Sequence, residues 1–280
     1  MPSHAVDISL TASMCCRICL RNNCEALGEL PNYGEFAGVC LTAPMPGGIL
    51  YRCHNCKAVF RFPVLTAEEY GQLYAQAAET AWPSAAWVLR NDQALVRKYI
   101  TARYPLGTRV LDIGCWTGAF LASLPAGYEK FGIEKSESAA EHCRQRGIKI
   151  VGDDFYALNR LTDRFDVVIA MNIVEHVLDP GILVENALNV LSPNGAVLIT
   201  TGDSNNRIWR EEKADFWYCA FGEHISFISE EWLKTNALAK RFRIAHLQMF
   251  KYENQFYWKA IAARCLAYLF RALGLQSPRS

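Results

Sequence analysis

From Thr108 onward, short apolar runs alternate with longer amphipathic stretches, a pattern that predicts strands separated by helices. The apolar runs place strands at 109–113, 130–134, 149–151, 165–170, 196–201 and 242–249, with the plainest helical spacing at 180–191. Strand–helix alternation of this kind implies parallel crossover units in a doubly wound α/β sheet. Upstream, Thr66 followed by "AEEY" reads as an N-cap with acids in the first turn, and Tyr70 and Tyr74 fall one turn apart on the helix that begins there. A second helix is expected after Pro83, with Val88, Leu89, Leu95, Val96, Tyr99 and Ile100 as its apolar positions. The tail "FYWKAIAARCLAYLFRALGL" is amphipathic, with Ile261, Cys265, Leu266, Leu269 and Leu273 on one face and Lys259, Arg264 and Arg271 off it. Docking on the sheet or on a second subunit is the preferred reading of this stripe, and peripheral membrane contact through 255–273 is the alternative.

The stretch "VLDIGCWTGAF" organises the rest. Its apolar run delivers Asp112 to a strand tip, Gly114 and Gly118 permit a tight turn with close ligand approach, and Phe120 and Leu121 open a helix. Glu134 ends the next apolar run 20 residues beyond Gly114, where an acid grips ribose hydroxyls. The spacing is G-x-x-x-G, with Trp116 where a dinucleotide fold needs a glycine beside the pyrophosphate. An uncharged sulfonium nucleoside has no such group to seat. These residues resemble motif I of the class I S-adenosylmethionine-dependent methyltransferases, and the similarity runs over 110–229.

The resemblance implies a Rossmann-like methyltransferase sheet with S-adenosylmethionine held at Asp112, Gly114, Cys115, Gly118 and Glu134. In "VGDD" it places Asp153 at the adenine amino group with the Asp154 amide beside it, although two adjacent acids also read as a solvated turn. "FDVVIAMNIVEHVLDP" carries Met171 and Asn172 to the carboxyl edge, and "LSPNGAVLIT" supplies a Pro193, Asn194, Gly195 turn into the fifth strand. The family's antiparallel seventh strand is not apparent.

Length sets the organisation: 280 residues hold one α/β domain plus an appendage. The expected parts are a zinc-binding module over 1–64, connecting helices over 65–105, a cofactor-binding domain over 106–250 and the tail over 251–280. The resemblance implies that the connecting helices fold over the cofactor as a lid. A formal charge of +1 supplies no field for nucleic acid or anionic membrane. No basic-then-apolar leader and no apolar run of ~18 residues is visible, which implies a cytoplasmic setting.

Seven of the eleven cysteines precede residue 57, and four form two C-x-x-C pairs, Cys16 with Cys19 and Cys53 with Cys56. Two such turns give tetrahedral thiolate ligation of a structural zinc, against the alternative of free buried thiols. Cys15, Cys24, Cys40 and His54 are spare donors. Residues 1–64 carry five Arg or Lys against four Asp or Glu, no basic face for RNA. The long gap between the pairs is similar to the N-terminal zinc-binding domain of methyltransferases acting on sugar nucleotides.

Methyl transfer to a hydroxyl requires alignment and proton removal, and histidine suits the second task. His176 follows Glu175 in an element that the resemblance marks as chiefly architectural. His224, in "GEHISFIS", follows a loop over 202–222 rich in Trp209, Phe216, Trp217, Tyr218 and Phe221, which is expected to roof an acceptor pocket. His224 is therefore the candidate base; its alternative is a structural hydrogen bond fixing the loop above Ser229, which would turn attention to His176 and Tyr218. The expected function is methyl transfer to a small-molecule or glycan-type acceptor, at a hydroxyl. RNA methylation through the zinc module and a non-catalytic cofactor-binding scaffold are the alternatives.

Overall fold

The computed structural model describes residues 14–77 and 89–245. The N-terminal part is built from β1 (Cys24–Glu29), β2 (Tyr33–Phe36), β3 (Val39–Met45), β4 (Ile49–Cys53) and β5 (Val59–Phe62). Helices α1 (Ala67–Ala75) and α2 (Asn91–Arg103) follow. The α/β part then runs β6 (Arg109–Ile113), α3 (Ala119–Ser123), β7 (Glu129–Ile133), α4 (Glu137–Gln145), β8 (Lys149–Gly152), β9 (Phe165–Met171), α5 (Pro180–Asn189) and β10 (Leu191–Thr200). Helix α6 (Arg207–Glu212), strand β11 (Ser226–Phe227) and helix α7 (Glu230–Thr235) complete the described chain.

The expected doubly wound sheet is present, with five parallel strands in the order β10-β9-β6-β7-β8. The order reverses at β6, so the carboxyl ends of β6, β7 and β9 frame a crevice where open α/β sheets bind ligands. The Pro193, Asn194, Gly195 turn lies inside β10 rather than before it. The pairing with β9 shifts register between Leu191 and Ala196, and Asn194 has a φ of +66°.

Two expectations need correction. Residues 242–245 form no strand, and 246–249 lie outside the described residues, so the described sheet has five strands, not six. Helix α2 begins only at Asn91, where Arg90 and Gln93 close its first turn; Leu89 precedes it, and 83–88 lie outside the described residues. The amphipathic tail over 251–280 also lies outside them. Among the described residues no helix is long and apolar enough to cross a membrane.

The N-terminal strands are joined to the α/β part at two levels. Strand β11 pairs antiparallel with β5 and completes a four-stranded sheet in the order β1-β4-β5-β11. Cys16, Cys53, Cys56, Ala58 and Phe60 share one apolar core with Leu111, Ile113, Phe131 and Trp232. The 202–222 stretch is also partly core. Trp209 and Phe216 pack with Leu50, Val59 and Phe227 rather than roofing a pocket.

Candidate active site

The turn after β6 is shaped by three residues in the left-handed region, Gly114 (φ +69°), Trp116 (φ +51°) and Gly118 (φ +73°). A Cβ on Gly114 would stand 2.3 Å from Ile173 Cδ1, and one on Gly118 would stand 2.4 Å from Ile148 Cδ1. The positive φ at both positions, more than these contacts with isoleucine ends, is what favours glycine there. Trp116 holds a conformation costly for an L-residue, and its N–H donates to Glu134 Oε2 at 2.7 Å. The second oxygen, Oε1, accepts from the Ser136 N–H at 2.8 Å. Glu134 thus ties the turn after β6 to the turn after β7. Burial raises its pKa, and these backbone donors pull the other way. Asp112, buried at the end of β6, is pushed up to about 8 by burial and by the neighbouring Glu134 charge.

The other expected cofactor residues divide. Cys115 is buried within the turn, Asp153 is exposed at the cleft rim, and Asp154 caps a short 3-10 turn through the Tyr156 N–H at 2.9 Å. Asn172 (φ +53°) donates its side-chain amide to Asp92 Oδ2 at 2.9 Å. Asp92, fully buried in the first turn of α2, also accepts from the Arg90 guanidinium, so Asn172 ties the turn after β9 to the start of α2. Sequence reasoning missed Asp92, because an acid in a helix's first turn is ordinary.

The same cleft, of about 450 Å³, is lined by a second group of residues, the acceptor wall. It draws Tyr70 and Tyr74 from α1, Glu175 and His176 from the turn after β9, and Trp217, Tyr218, Phe221, Glu223 and His224 from the loop before β11. His224 Nδ1 lies 2.8 Å from the Tyr218 carbonyl oxygen. A carbonyl only accepts, so Nδ1 carries the proton and Nε2 is left as an acceptor. One nitrogen of the ring thus fixes the loop, as the structural reading of His224 expected. The His176 ring lies 4.9 Å from it, and His176 Nδ1 is 2.9 Å from the Tyr74 hydroxyl. Burial lowers His224 to about 4 and, with His224 beside it, holds His176 well below the usual imidazole range. Glu175 is fully buried and accepts from the Tyr218 hydroxyl and from Thr201 Oγ1 at 3.0 Å. Burial pushes it up to about 7. The link from Tyr74 to His176 was invisible in the sequence, where only the Tyr70 and Tyr74 spacing showed.

The cysteine pairs converge as expected. Cys16 and Cys56 sulfurs are 3.8 Å apart, Cys19 and Cys53 sulfurs 3.6 Å, and all four lie within 4.8 Å of one another with no disulfide among them. A tetrahedron with zinc–sulfur bonds of about 2.3 Å has edges of about 3.8 Å, so the four thiolates fit that ion. His54 stands apart from the group, 3.6 Å from Glu25. Glu175, His176 and His224 also gather within 4.8 Å. Their carboxylate and Nδ1 atoms are hydrogen-bonded to Tyr218, Thr201 and Tyr74.

A family model described as a methyltransferase domain matches residues 88–247. The chain is similar to a ubiquinone biosynthesis O-methyltransferase of Bradyrhizobium diazoefficiens, 33% identical over 110 residues that make up 37% of this chain and 42% of that one. A protein of the same name from Caulobacter sp. is 35% identical over 124 residues, 40% of this chain and 48% of that one. The chain thus spans less than half the length of these two curated relatives. Among solved structures, the magnesium protoporphyrin IX methyltransferase of Synechocystis PCC 6803, with S-adenosylhomocysteine bound, aligns at a TM-score of 0.45 and 18% identity over 57% of this chain and 75% of that one.

Proposed function

With the chain belonging to the methyltransferase-domain family as premise, we propose that it moves a methyl group from S-adenosylmethionine to a hydroxyl of a small-molecule or glycan-type acceptor. The observation that carries this reading is that Glu134 and His224 line one cleft, with Nε2 of His224 left as a proton acceptor. The O-methyltransferase names of the curated relatives support oxygen as the acceptor atom.

When bound, the cofactor supplies an electrophilic methyl on a sulfonium. Glu134 accepts hydrogen bonds from the ribose hydroxyls, Asp153 accepts from the adenine amino group, and Asp112, Gly114, Cys115, Gly118, Asp154 and Asn172 shape the surrounding turns. His224 accepts the hydroxyl proton at Nε2, and its depressed pKa keeps that nitrogen unprotonated at neutral pH. Tyr218 and Glu175 hold the loop on which His224 is anchored. Trp217 and Phe221, half-exposed at the mouth, exclude water above the acceptor. Cys16, Cys19, Cys53 and Cys56 hold a structural zinc.

Incubation with S-adenosylmethionine and a panel of phenols, sugars and nucleotide sugars tests the reading through S-adenosylhomocysteine release. The His224→Ala variant should lower kcat by about 10²–10⁴-fold, the scale for losing a general base, with cofactor affinity unchanged. A soluble variant with normal turnover removes His224 from the mechanism. Tight cofactor binding with no product from any acceptor class would favour a scaffold instead.

A further inference from the structure

Between the ligand positions Cys16 and Cys19 stands Arg17, which points away from the cysteine cluster and into the acceptor wall. Its Nη1 donates to the Leu178 carbonyl, and its Nη2 donates to the Ile225 carbonyl at 2.6 Å and to Ser226 Oγ at 2.6 Å. Nε reaches the Arg61 carbonyl at 3.4 Å, and the guanidinium lies 5.5 Å from the centre of the Phe60 ring. Leu178 is two residues beyond His176, and Ile225 is the residue after His224. One guanidinium thus binds the backbone within two residues of both histidines.

We propose that Arg17 is a positioning residue for the acceptor wall, through which the metal-bound knuckle sets the relative placement of His176 and His224. The proposal rests on the reading of this cleft as the site of methyl transfer. The local bonding explains why a guanidinium is needed. The two segments also touch directly, through the Ile225 N–H to the Glu175 carbonyl at 2.8 Å and Ser226 Oγ to the Val177 carbonyl at 2.6 Å. Those contacts leave the Leu178 carbonyl, and the second lone pair of the Ile225 carbonyl beside its bond from the Arg61 N–H at 3.0 Å, to be met by one guanidinium. A planar fork with five donors in fixed geometry spans them, whereas a lysine brings one ammonium on a flexible stem. The fork is anchored from behind, because the turn carrying Arg17 is closed by the Leu20 N–H to Cys16 carbonyl bond at 2.8 Å and by the thiolates on either side. A metal joining the four sulfurs holds that turn against the 53–56 turn. The position of Arg17 then fixes the two histidine loops, and a misplacement near 1 Å at such a site costs about 10²-fold in rate.

The test uses the full-length, zinc-loaded protein and its Arg17→Ala and Arg17→Lys variants, with imidazole ¹⁵N–¹H correlation spectra alongside metal content and S-adenosylhomocysteine calorimetry. The wild type should show His224 as a single Nδ1-protonated tautomer. Arg17→Ala should keep its zinc and its S-adenosylhomocysteine affinity while His224 becomes a mixture of tautomers, and kcat with any accepted acceptor should fall about 10–100-fold. Arg17→Lys should show the same mixing, since the fork and not the charge is required. If Arg17→Ala fails to fold, Arg17→Lys decides. Either variant with bound zinc and a wild-type His224 spectrum overturns the proposal. A wild-type protein that binds no S-adenosylhomocysteine would instead sink the methyl-transfer reading, and the tautomer comparison would still report on Arg17.

Discussion

Tyr218 binds two partners of the acceptor wall at once: its carbonyl oxygen takes the Nδ1 proton of His224 at 2.8 Å, and its hydroxyl donates to the buried carboxyl of Glu175. The histidine loop is thereby anchored to the turn after β9. Burial raises Glu175 from an ordinary 4.5 to about 7, and the Tyr218 hydroxyl is the foremost group working against that rise. A raised folded-state pKa means that the native protein binds more protons than the unfolded chain between about 4.5 and 7, so this group's contribution to stability falls as pH rises through that window.

Tyr218→Phe removes the hydroxyl and leaves the backbone anchor. The Glu175 pKa should rise further, extending the unfavourable window to higher pH. The variant should lose about 1 kcal/mol relative to wild type at pH 5, where Glu175 is protonated, and about 1.5–3 kcal/mol at pH 8, where a charged hydrogen bond is lost. Urea unfolding at the two pH values checks this. An equal loss at both would show that Glu175 is not the group coupled to Tyr218.

Glu134→Gln keeps the shape of the side chain but has one accepting oxygen for the two backbone donors of Trp116 and Ser136. Its amide hydrogens would face one of those N–H groups, and the left-handed turn at Trp116 would lose its support. S-adenosylhomocysteine affinity should fall by about 10–100-fold, the scale of a charged hydrogen bond. Calorimetry reads this directly, and unchanged affinity would remove Glu134 from the cofactor site.

The central sheet was legible because its inner strands β6 and β9 are apolar runs buried on both faces; the ends of β6, β7, β8 and β9 fall within a residue or so of those expected. The cysteine cluster was legible from spacing alone. Strand β11 was not, since two residues, Ser226 and Phe227, carry no periodicity and their partners, Phe60 and Val59, are far away in the chain. Residues 242–245 show the opposite failure, an apolar pattern without a strand. The aromatic loop was half legible. Composition pointed to a roof over a pocket, but only the fold sends Trp209 and Phe216 into the core and leaves Trp217 and Phe221 at the cleft. The tautomer of His224 was out of reach, because it depends on a backbone carbonyl.

Purified protein should contain about one zinc per chain, held by four thiolates. Cys16 and Cys53 have no exposed surface and lie in the same core as Leu111 and Phe131, so loss of the ion should be felt across the α/β part. Cys53→Ser should lose the metal and lower the Tm, and a chelator should lower the wild-type Tm in the same way. Elemental analysis with thermal scans checks this. Metal-free protein with an unchanged Tm would contradict a structural zinc.

A crystal structure with S-adenosylhomocysteine bound tests the central claim most directly, because it shows what the vacated methyl position faces. The ribose hydroxyls should lie within hydrogen-bond distance of Glu134, the adenine beside Asp153, and the sulfur on the side of the cleft walled by Tyr74, His176 and His224, with Nε2 of His224 turned toward the acceptor space. A nucleoside bound outside this cleft, or a sulfur directed away from the His224 wall, would contradict the account.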